Sequence, residues 1–169
     1  MMKISMSTII IITTLCCVLP YLWFVIIARN STNKLKKQIN NAVKKENLLF
    51  RTKEQWSNHF IGVDDVQNTL LFLSANSLKT PYLKINLQDV KSCQIIKKSR
   101  NYKKEMKTET ELQSLDLEIS FYSNKEPFML NFYDMNDEFA ENFEMKRIEK
   151  WQALIQQKIL SLQVNRRAA

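Results

Sequence analysis

The stretch LDLEISFY, residues 115–122, alternates between apolar side chains and charged or polar ones. In a β-strand successive side chains point to opposite faces, so one row faces a core and the other faces water. FMLNFY (128–133) repeats the pattern after the turn SNKEP. These segments therefore predict two antiparallel strands that share a buried face. The residues expected on that face are Leu115, Leu117, Ile119, Phe121, Phe128, Leu130 and Phe132.

Further strands are predicted upstream of this pair. The apolar runs are bounded by polar segments, as strand ends usually are, and DDVQN reads as a hairpin loop between two of them. Gly62 is the chain's single glycine, which excludes Gly-rich phosphate loops and dinucleotide-binding fingerprints. The predicted strands are HFIGV (59–63), TLLFLS (69–74), YLKINL (82–87) and DVKSCQII (89–96).

A long amphipathic helix is predicted to follow the strands, from Asn136 or Asp137 to Val164. Its apolar residues recur at helical spacing and form one stripe, with Trp151 as the plug of a strongly bent sheet. The pattern predicts an α+β or mainly-β domain of six to seven antiparallel strands capped by this helix. The stripe consists of Phe139, Phe143, Ile148, Trp151, Leu154, Ile155, Ile159 and Leu162.

KINLQDVKSCQII (84–96), LNFYD (130–134) and the closing helix with Trp151 occur in an order that resembles the pleckstrin-homology-like (PH-like) domains of bacterial membrane proteins. The resemblance covers residues 55–163. It implies a seven-stranded bent barrel closed by the C-terminal helix. It also implies a non-catalytic scaffold that binds proteins, peptides or lipid headgroups.

One departure from that family concerns lipid binding. Lipid-binding members commonly carry Lys and Arg around the loop that joins the first two strands. Here that position holds Asp64 and Asp65. The familiar mode of phosphoinositide binding is therefore not expected.

The N-terminal segment from Ile4 to Ala28 contains no charged residue. As a helix it would extend about 37 Å, which exceeds the roughly 30 Å hydrocarbon core of a bilayer. The segment predicts a single transmembrane helix, because it is longer than the apolar region of a cleaved signal peptide. Lys and Arg are concentrated on its carboxyl side, which predicts an inner-membrane protein with a cytoplasmic C-terminal domain.

The net charge of +8 is concentrated near the N-terminus. Residues 1–45 hold seven basic residues and no acid, leaving 18 basic and 17 acidic residues in the rest. No nucleic-acid partner is expected for so nearly neutral a domain. Residues 29–50 predict a basic amphipathic helix, whose two-heptad apolar seam leaves weak homodimerisation open. The residues expected to contact anionic lipid are Arg29, Lys34, Lys36, Lys37, Lys44 and Lys45.

Motifs for catalysis or metal binding are not evident. His59 is the only histidine, no nucleophile signature surrounds any Ser or Cys, and the three cysteines have no metal-binding spacing. We therefore expect no enzyme, no cofactor and no metal. The candidate contact segment is KKSRNYKKEMK (97–107), predicted as a long loop that touches an anionic lipid surface or an acidic partner. Its contact residues are Lys97, Lys98, Arg100, Tyr102, Lys103, Lys104 and Lys107.

The predicted organisation is an anchor (1–28), a juxtamembrane helix (29–50), a PH-like domain (51–165) and a tail (166–169). The function expected from it is that of a membrane-anchored adaptor that presents its domain to an unidentified protein partner or to lipid. The alternative is a structural subunit of an envelope or secretion complex with a periplasmic, nuclear-transport-factor-like domain. That fold usually places helices before its sheet, whereas here the long helix is last.

Overall fold

The computed structural model divides the chain into two units, Met1–Asn47 and Leu48–Ala169. The residues that it describes are 6–75, 82–104, 107–123, 125–137 and 143–168. Side chains within its helices and strands are described except at 6–11, 24–34, 103–104, 107–109 and 165–168.

The first unit contains one continuous helix, α1 (Met6–Glu46), with Pro20 inside it. Its described side chains from 12 to 23 are exposed, and Trp23 is 71% exposed. The predicted helix at 29–50 is the second half of α1 and ends at Glu46, before a residue with a left-handed backbone, Asn47 (φ 50°).

The transmembrane prediction is wrong. Within the described part of the chain, no helix is both long and apolar enough to cross a bilayer. This finding overturns the N-terminal element of the predicted fold class, the single-pass inner-membrane location with its cytoplasmic domain, and the single-span association with a membrane.

The second unit begins with a four-stranded antiparallel sheet in which each strand pairs with its neighbour in the chain. Three of its strands are confirmed near their predicted bounds. The first was not assigned from the sequence, because FRTKEQW carries few apolar residues and only Trp56 is buried. The strands are β1 (Phe50–Trp56), β2 (His59–Asp64), β3 (Thr69–Ser74) and β4 (Leu83–Asn86).

Gly62 is required by the close approach of β1 to β2. It lies opposite Lys53 and Leu71 in the sheet. A Cβ atom at this position would come within 2.9 Å of Cδ1 of Phe50. Because real Cβ atoms do not approach other carbons so closely, the Phe50 ring occupies the space that only glycine leaves free.

Asp64 fixes the turn after β2 and the entry into β1. Its Oδ1 accepts hydrogen bonds from the backbone N–H groups of Val66 (2.8 Å) and Gln67 (2.9 Å), and its Oδ2 accepts one from Leu49 (2.7 Å). Burial alone would raise the pKa of this carboxyl. The three N–H donors outweigh burial and hold the pKa below its ordinary value.

A three-stranded antiparallel sheet follows, also in chain order. The buried face predicted for 115–122 is confirmed at Leu115, Leu117 and Ile119, which are fully buried. Phe128 was predicted to be buried and is 36% exposed. The strands are β5 (Val90–Lys104), β6 (Lys107–Phe121) and β7 (Phe128–Asp134).

Asp116 was predicted to face water, but it is buried, with only 8% of its surface exposed. Its carboxylate accepts hydrogen bonds from Nδ2 of Asn131 (2.9 Å) and Oγ of Ser114 (3.1 Å). These hydrogen bonds from β6 and β7 replace those to water that the Asp116 carboxylate loses on burial.

The C-terminal helix α2 (Glu144–Ala168) covers the core with Ile148, Trp151, Ile155 and Ile159. Trp151 is fully buried, as the plug prediction required. The predicted start at Asn136 or Asp137 is not observed, and Phe139 lies outside the described residues.

Phe143 does not belong to the buried stripe. It has a left-handed backbone (φ 67°) and a side chain that is 65% exposed. Its carbonyl accepts a hydrogen bond from the N–H of Arg147 (3.0 Å), so it caps the helix instead of packing beneath it.

The two sheets are joined where β1 meets β7. Nε1–H of Trp56 donates to the carbonyl of Phe132 (3.2 Å), and their rings stack with centroids 4.9 Å apart. Side chains from both sheets and from α2 form one continuous core in this unit.

Candidate interaction site

The predicted loop at 97–107 is instead the distal half of a long β-hairpin. The β5–β6 ladder runs from Val90 opposite Phe121 to Lys104 opposite Lys107. β7 pairs with β6 only from Ser114 to Ile119, so the rest of the hairpin extends beyond the three-stranded sheet. Residues 99–104 and 107–112 are termed the arm below.

The candidate contact residues lie on the arm and at its base. Lys97, Lys98 and Arg100 are exposed and take part in no ion pair among the described residues. Tyr102 is 39% exposed. The side chains of Lys103, Lys104 and Lys107 lie outside the described residues, although their backbones belong to the ladder.

The pairing adds two acids that a linear reading of the segment leaves out. Glu111 lies opposite Arg100, and Glu109 lies opposite Tyr102. The positive charge is therefore concentrated on β5, while the β6 side of the arm is mixed. Had the segment been recognised as a hairpin with its turn at residues 105 and 106, pairing residues at equal distances from that turn would have identified these neighbours.

β5 is an edge strand, since the order in its sheet is β5-β6-β7. At its sheet end this edge is covered by glutamines of α2. The carbonyl of Cys93 accepts hydrogen bonds from Nε2 of Gln152 (3.4 Å) and of Gln156 (3.3 Å). Because that carbonyl is bonded to α2, it points away from β6.

A charged cluster fixes α2 on β1 and so fixes the frame from which the arm projects. The Glu54 carboxylate accepts hydrogen bonds from Nε of Arg147 (2.9 Å), Nζ of Lys150 (2.9 Å) and Nε1 of Trp151 (3.0 Å). Burial would raise the pKa of Glu54, but these donors outweigh it and lower the pKa. Arg147 also bonds the buried carboxylate of Glu144 (3.2 Å), which makes the cluster continuous.

His59, the only histidine in the chain, lies in the core and not at a surface site. It is 2% exposed and stacks on Trp56 with ring centroids 5.4 Å apart. Burial chiefly lowers its pKa to about 4, helped by Arg147 and opposed by Asp137. The imidazole is therefore neutral at physiological pH and packs as an aromatic side chain.

Cys93 is likewise an interior residue. Burial raises the pKa of its thiol to about 11, so the reactive thiolate is scarcely populated at neutral pH. Among the described side chains, no group of three or more His, Cys, Asp or Glu is placed to hold a metal ion.

The basic residues predicted to touch lipid lie on α1. Lys36, Lys37, Lys44 and Lys45 are exposed. The side chains of Arg29 and Lys34 lie outside the described residues. Contact of this set with an anionic surface stays a prediction.

Comparisons of the chain with protein-family models, curated proteins and solved structures find no match. Among the described residues, the arm and its base combine an edge strand with three exposed basic side chains that form no ion pair there, Lys97, Lys98 and Arg100.

Proposed function

We propose that residues 48–169 form a non-catalytic binding domain of the PH-like kind, which uses the β5–β6 arm to contact an acidic protein partner. The order of elements supports the PH-like assignment. Four antiparallel strands are followed by three more and by a C-terminal helix that covers the core. The resemblance found in the sequence implies the same order.

Binding is favoured over catalysis by the state of the two most reactive side chains of this unit. His59 is buried and neutral, with a pKa of about 4. Cys93 is buried and protonated, with a pKa of about 11. General acid–base or nucleophilic chemistry at neutral pH requires an accessible group whose pKa lies nearer to 7.

The arm is the observation that carries this proposal. A two-stranded ribbon without a third strand is only marginally stable in water, and the described arm side chains at 99–102 and 110–111 are exposed. Folding of the core does not explain its length. A projecting ribbon with exposed basic side chains such as Lys98 and Arg100 on β5 is suited to docking against a partner of opposite charge.

The proposal can be tested by photo-crosslinking with two matched tyrosine positions. Replacing Tyr102 with a photoreactive phenylalanine analogue puts the crosslinker on the arm. The same replacement at Tyr122, which is 53% exposed at the other end of the hairpin, is the control. In the cells that make the protein, we expect a discrete protein adduct from position 102 that is absent from position 122. Equal adducts at both positions, or none at 102, would overturn the proposal.

A further inference from the structure

The outer edge of β5 presents backbone groups at every second residue. In an antiparallel ladder, a strand residue directs its N–H and C=O either to its partner or away from it, in alternation. Cys93 directs its carbonyl away from β6, towards Gln152 and Gln156. Counting in twos from Cys93 brings the outward groups to residues 95, 97, 99, 101 and 103.

The register shift along the ladder does not disturb this alternation. Lys98 pairs with Ser114 and Ser99 pairs with Leu112, so the extra residue is Gln113 of β6. β5 continues without an insertion on either side of that point. Ser99 and Asn101 therefore direct their backbone N–H and C=O groups to the open side.

The charge along this edge has one sign. β5 contains no acid, and its residues 97–104 include five Lys or Arg. A strand added along β5 would place its side chains about 5 Å from those of β5 and about 10 Å from those of β6. It would therefore meet the basic side chains at close range and Glu109 and Glu111 only at a distance.

We propose that the open edge of β5, residues 97–104, binds an extended acidic segment of a partner protein as an added β-strand. The main-chain hydrogen bonds supply affinity, and the side chains of β5 supply selectivity. Lys98 and Arg100 are two residues apart and project from the same face, so the segment is expected to carry Asp or Glu at alternate positions.

A second copy of this chain does not fit the same edge. Pairing β5 with β5 would bring lysines and arginines directly opposite each other, which destabilises a ladder. Lysines on an edge strand also oppose pairing with other strands of the same charge, which limits aggregation. A strand that carries acidic side chains is not opposed in this way.

This inference rests on the proposed binding function and makes it specific. The test uses the full-length chain and a labelled ten-residue peptide of alternating Glu and Val, with binding followed by fluorescence anisotropy. The first comparison is the same peptide N-methylated at alternate residues, which keeps its charge and removes half of its N–H donors. The second is an alternating Lys and Val peptide.

Two triple variants with equal changes in net charge separate the edge from general electrostatics. Lys97→Gln, Lys98→Gln and Arg100→Gln remove charge from the edge. Lys53→Gln, Lys91→Gln and Lys125→Gln remove it from exposed positions elsewhere. We expect the edge triple to weaken the Glu–Val peptide about tenfold, by analogy with exposed charge pairs, and the control triple to change its Kd less than twofold.

Hydrogen exchange gives a readout of the backbone contact. Peptide binding is expected to slow exchange at the amides of Ser99 and Asn101, which point outward, and to leave those of Lys98 and Arg100 unchanged. This alternation distinguishes strand addition from side-chain attraction alone.

Three outcomes would overturn strand addition. The first is a methylated peptide that binds as tightly as its parent. The second is an edge triple that binds normally. The third is failure of every peptide while vesicles of phosphatidylserine and phosphatidylcholine bind through the same three residues. A crosslinked protein at position 102 would keep the wider binding function intact in each case, so the two failures are distinguishable.

Discussion

His59 makes the stability of the second unit sensitive to mild acid. Its pKa is lowered from 6.5 to about 4, chiefly by burial. Protonation would place a charge between aromatic rings, with Trp56 stacked at 5.4 Å and Phe72 at 6.0 Å. The unfolded chain, in which the imidazole is hydrated, therefore binds a proton more readily than the folded protein.

The sign and size of the effect follow from linkage. Between pH 6.5 and 4 the unfolded state holds more protons, so the free energy of unfolding falls as the pH is lowered. At 1.36 kcal/mol per pKa unit, lowering the pH from 7 to 5 is expected to cost about 2 kcal/mol. Glu54 and Asp64 have lowered pKa values and lose their stabilising charge only at lower pH.

Urea unfolding of the full-length chain at pH 7 and pH 5, followed by tryptophan fluorescence, measures this difference. The variant His59→Gln carries no titrating group and is expected to lose less than about 0.5 kcal/mol over the same interval. His59→Phe is a second control that keeps an aromatic ring in the stack. Only the difference between the two pH values matters, so a lower overall stability of either variant does not affect the test.

Two results would refute the reasoning. One is an equal loss of stability in wild type and His59→Gln, which would assign the acid sensitivity to other groups. The other comes from NMR, where the single histidine of the chain gives one imidazole signal. Titration of that signal near 6.5 in the folded protein would show that burial does not penalise the charge.

Three further predictions concern single contacts, each measured by urea unfolding at pH 7. Gly62→Ala is expected to cost about 1–3 kcal/mol through overlap with Phe50 and to cost almost nothing in a Phe50→Ala background; equal costs in both would remove the steric explanation. Glu54→Gln is expected to cost about 2 kcal/mol by weakening three hydrogen bonds, whereas the exposed control Glu126→Gln changes little; similar values for the pair would deny the cluster a structural role. Asp64→Ala is expected to cost about 3 kcal/mol and Asp64→Asn less, because the amide keeps an acceptor; an equal cost would show that the N–H contacts contribute nothing.

The strands that could be predicted are those whose side chains alternate or are apolar throughout. Leu115, Leu117 and Ile119 occupy one face at every second position, and burial of that face determines the register. TLLFLS is apolar enough to be recognised without alternation and forms β3 at its predicted bounds. Trp151 was recognisable because a large aromatic residue in an apolar helical stripe has few alternatives to the core.

The elements that were missed are those that tertiary contacts stabilise. β1 is polar in sequence and depends on its pairing with β2 and on the contacts of Trp56 and Glu54. The arm carries no apolar alternation and no turn residues such as Asn-Gly at residues 105–106, so its pattern resembled a loop. The transmembrane prediction depended on the length of an uncharged segment, and no described helix is long and apolar enough to support it.

The candidate site could be predicted in its residues but not in its geometry. Lys97, Lys98 and Arg100 were recognised from composition. Their place on an open strand edge depends on where β7 ends, which the charge pattern does not encode. The burial of Asp116 could not be predicted from the sequence either, because the hydrogen bond that replaces water at its carboxylate comes from Asn131 on another strand.

The chain-order pairing of both sheets has a consequence for synthesis on the ribosome. Each ladder joins strands that are neighbours in the chain, so each hairpin can form as soon as its two strands have left the ribosome. Glu54, by contrast, meets its donors only in the last 25-residue helix. A nascent chain stalled before Glu144 is expected to contain both sheets with their apolar faces exposed to solvent. Such a chain is expected to bind a chaperone until the C-terminal helix has been synthesised and covers those faces.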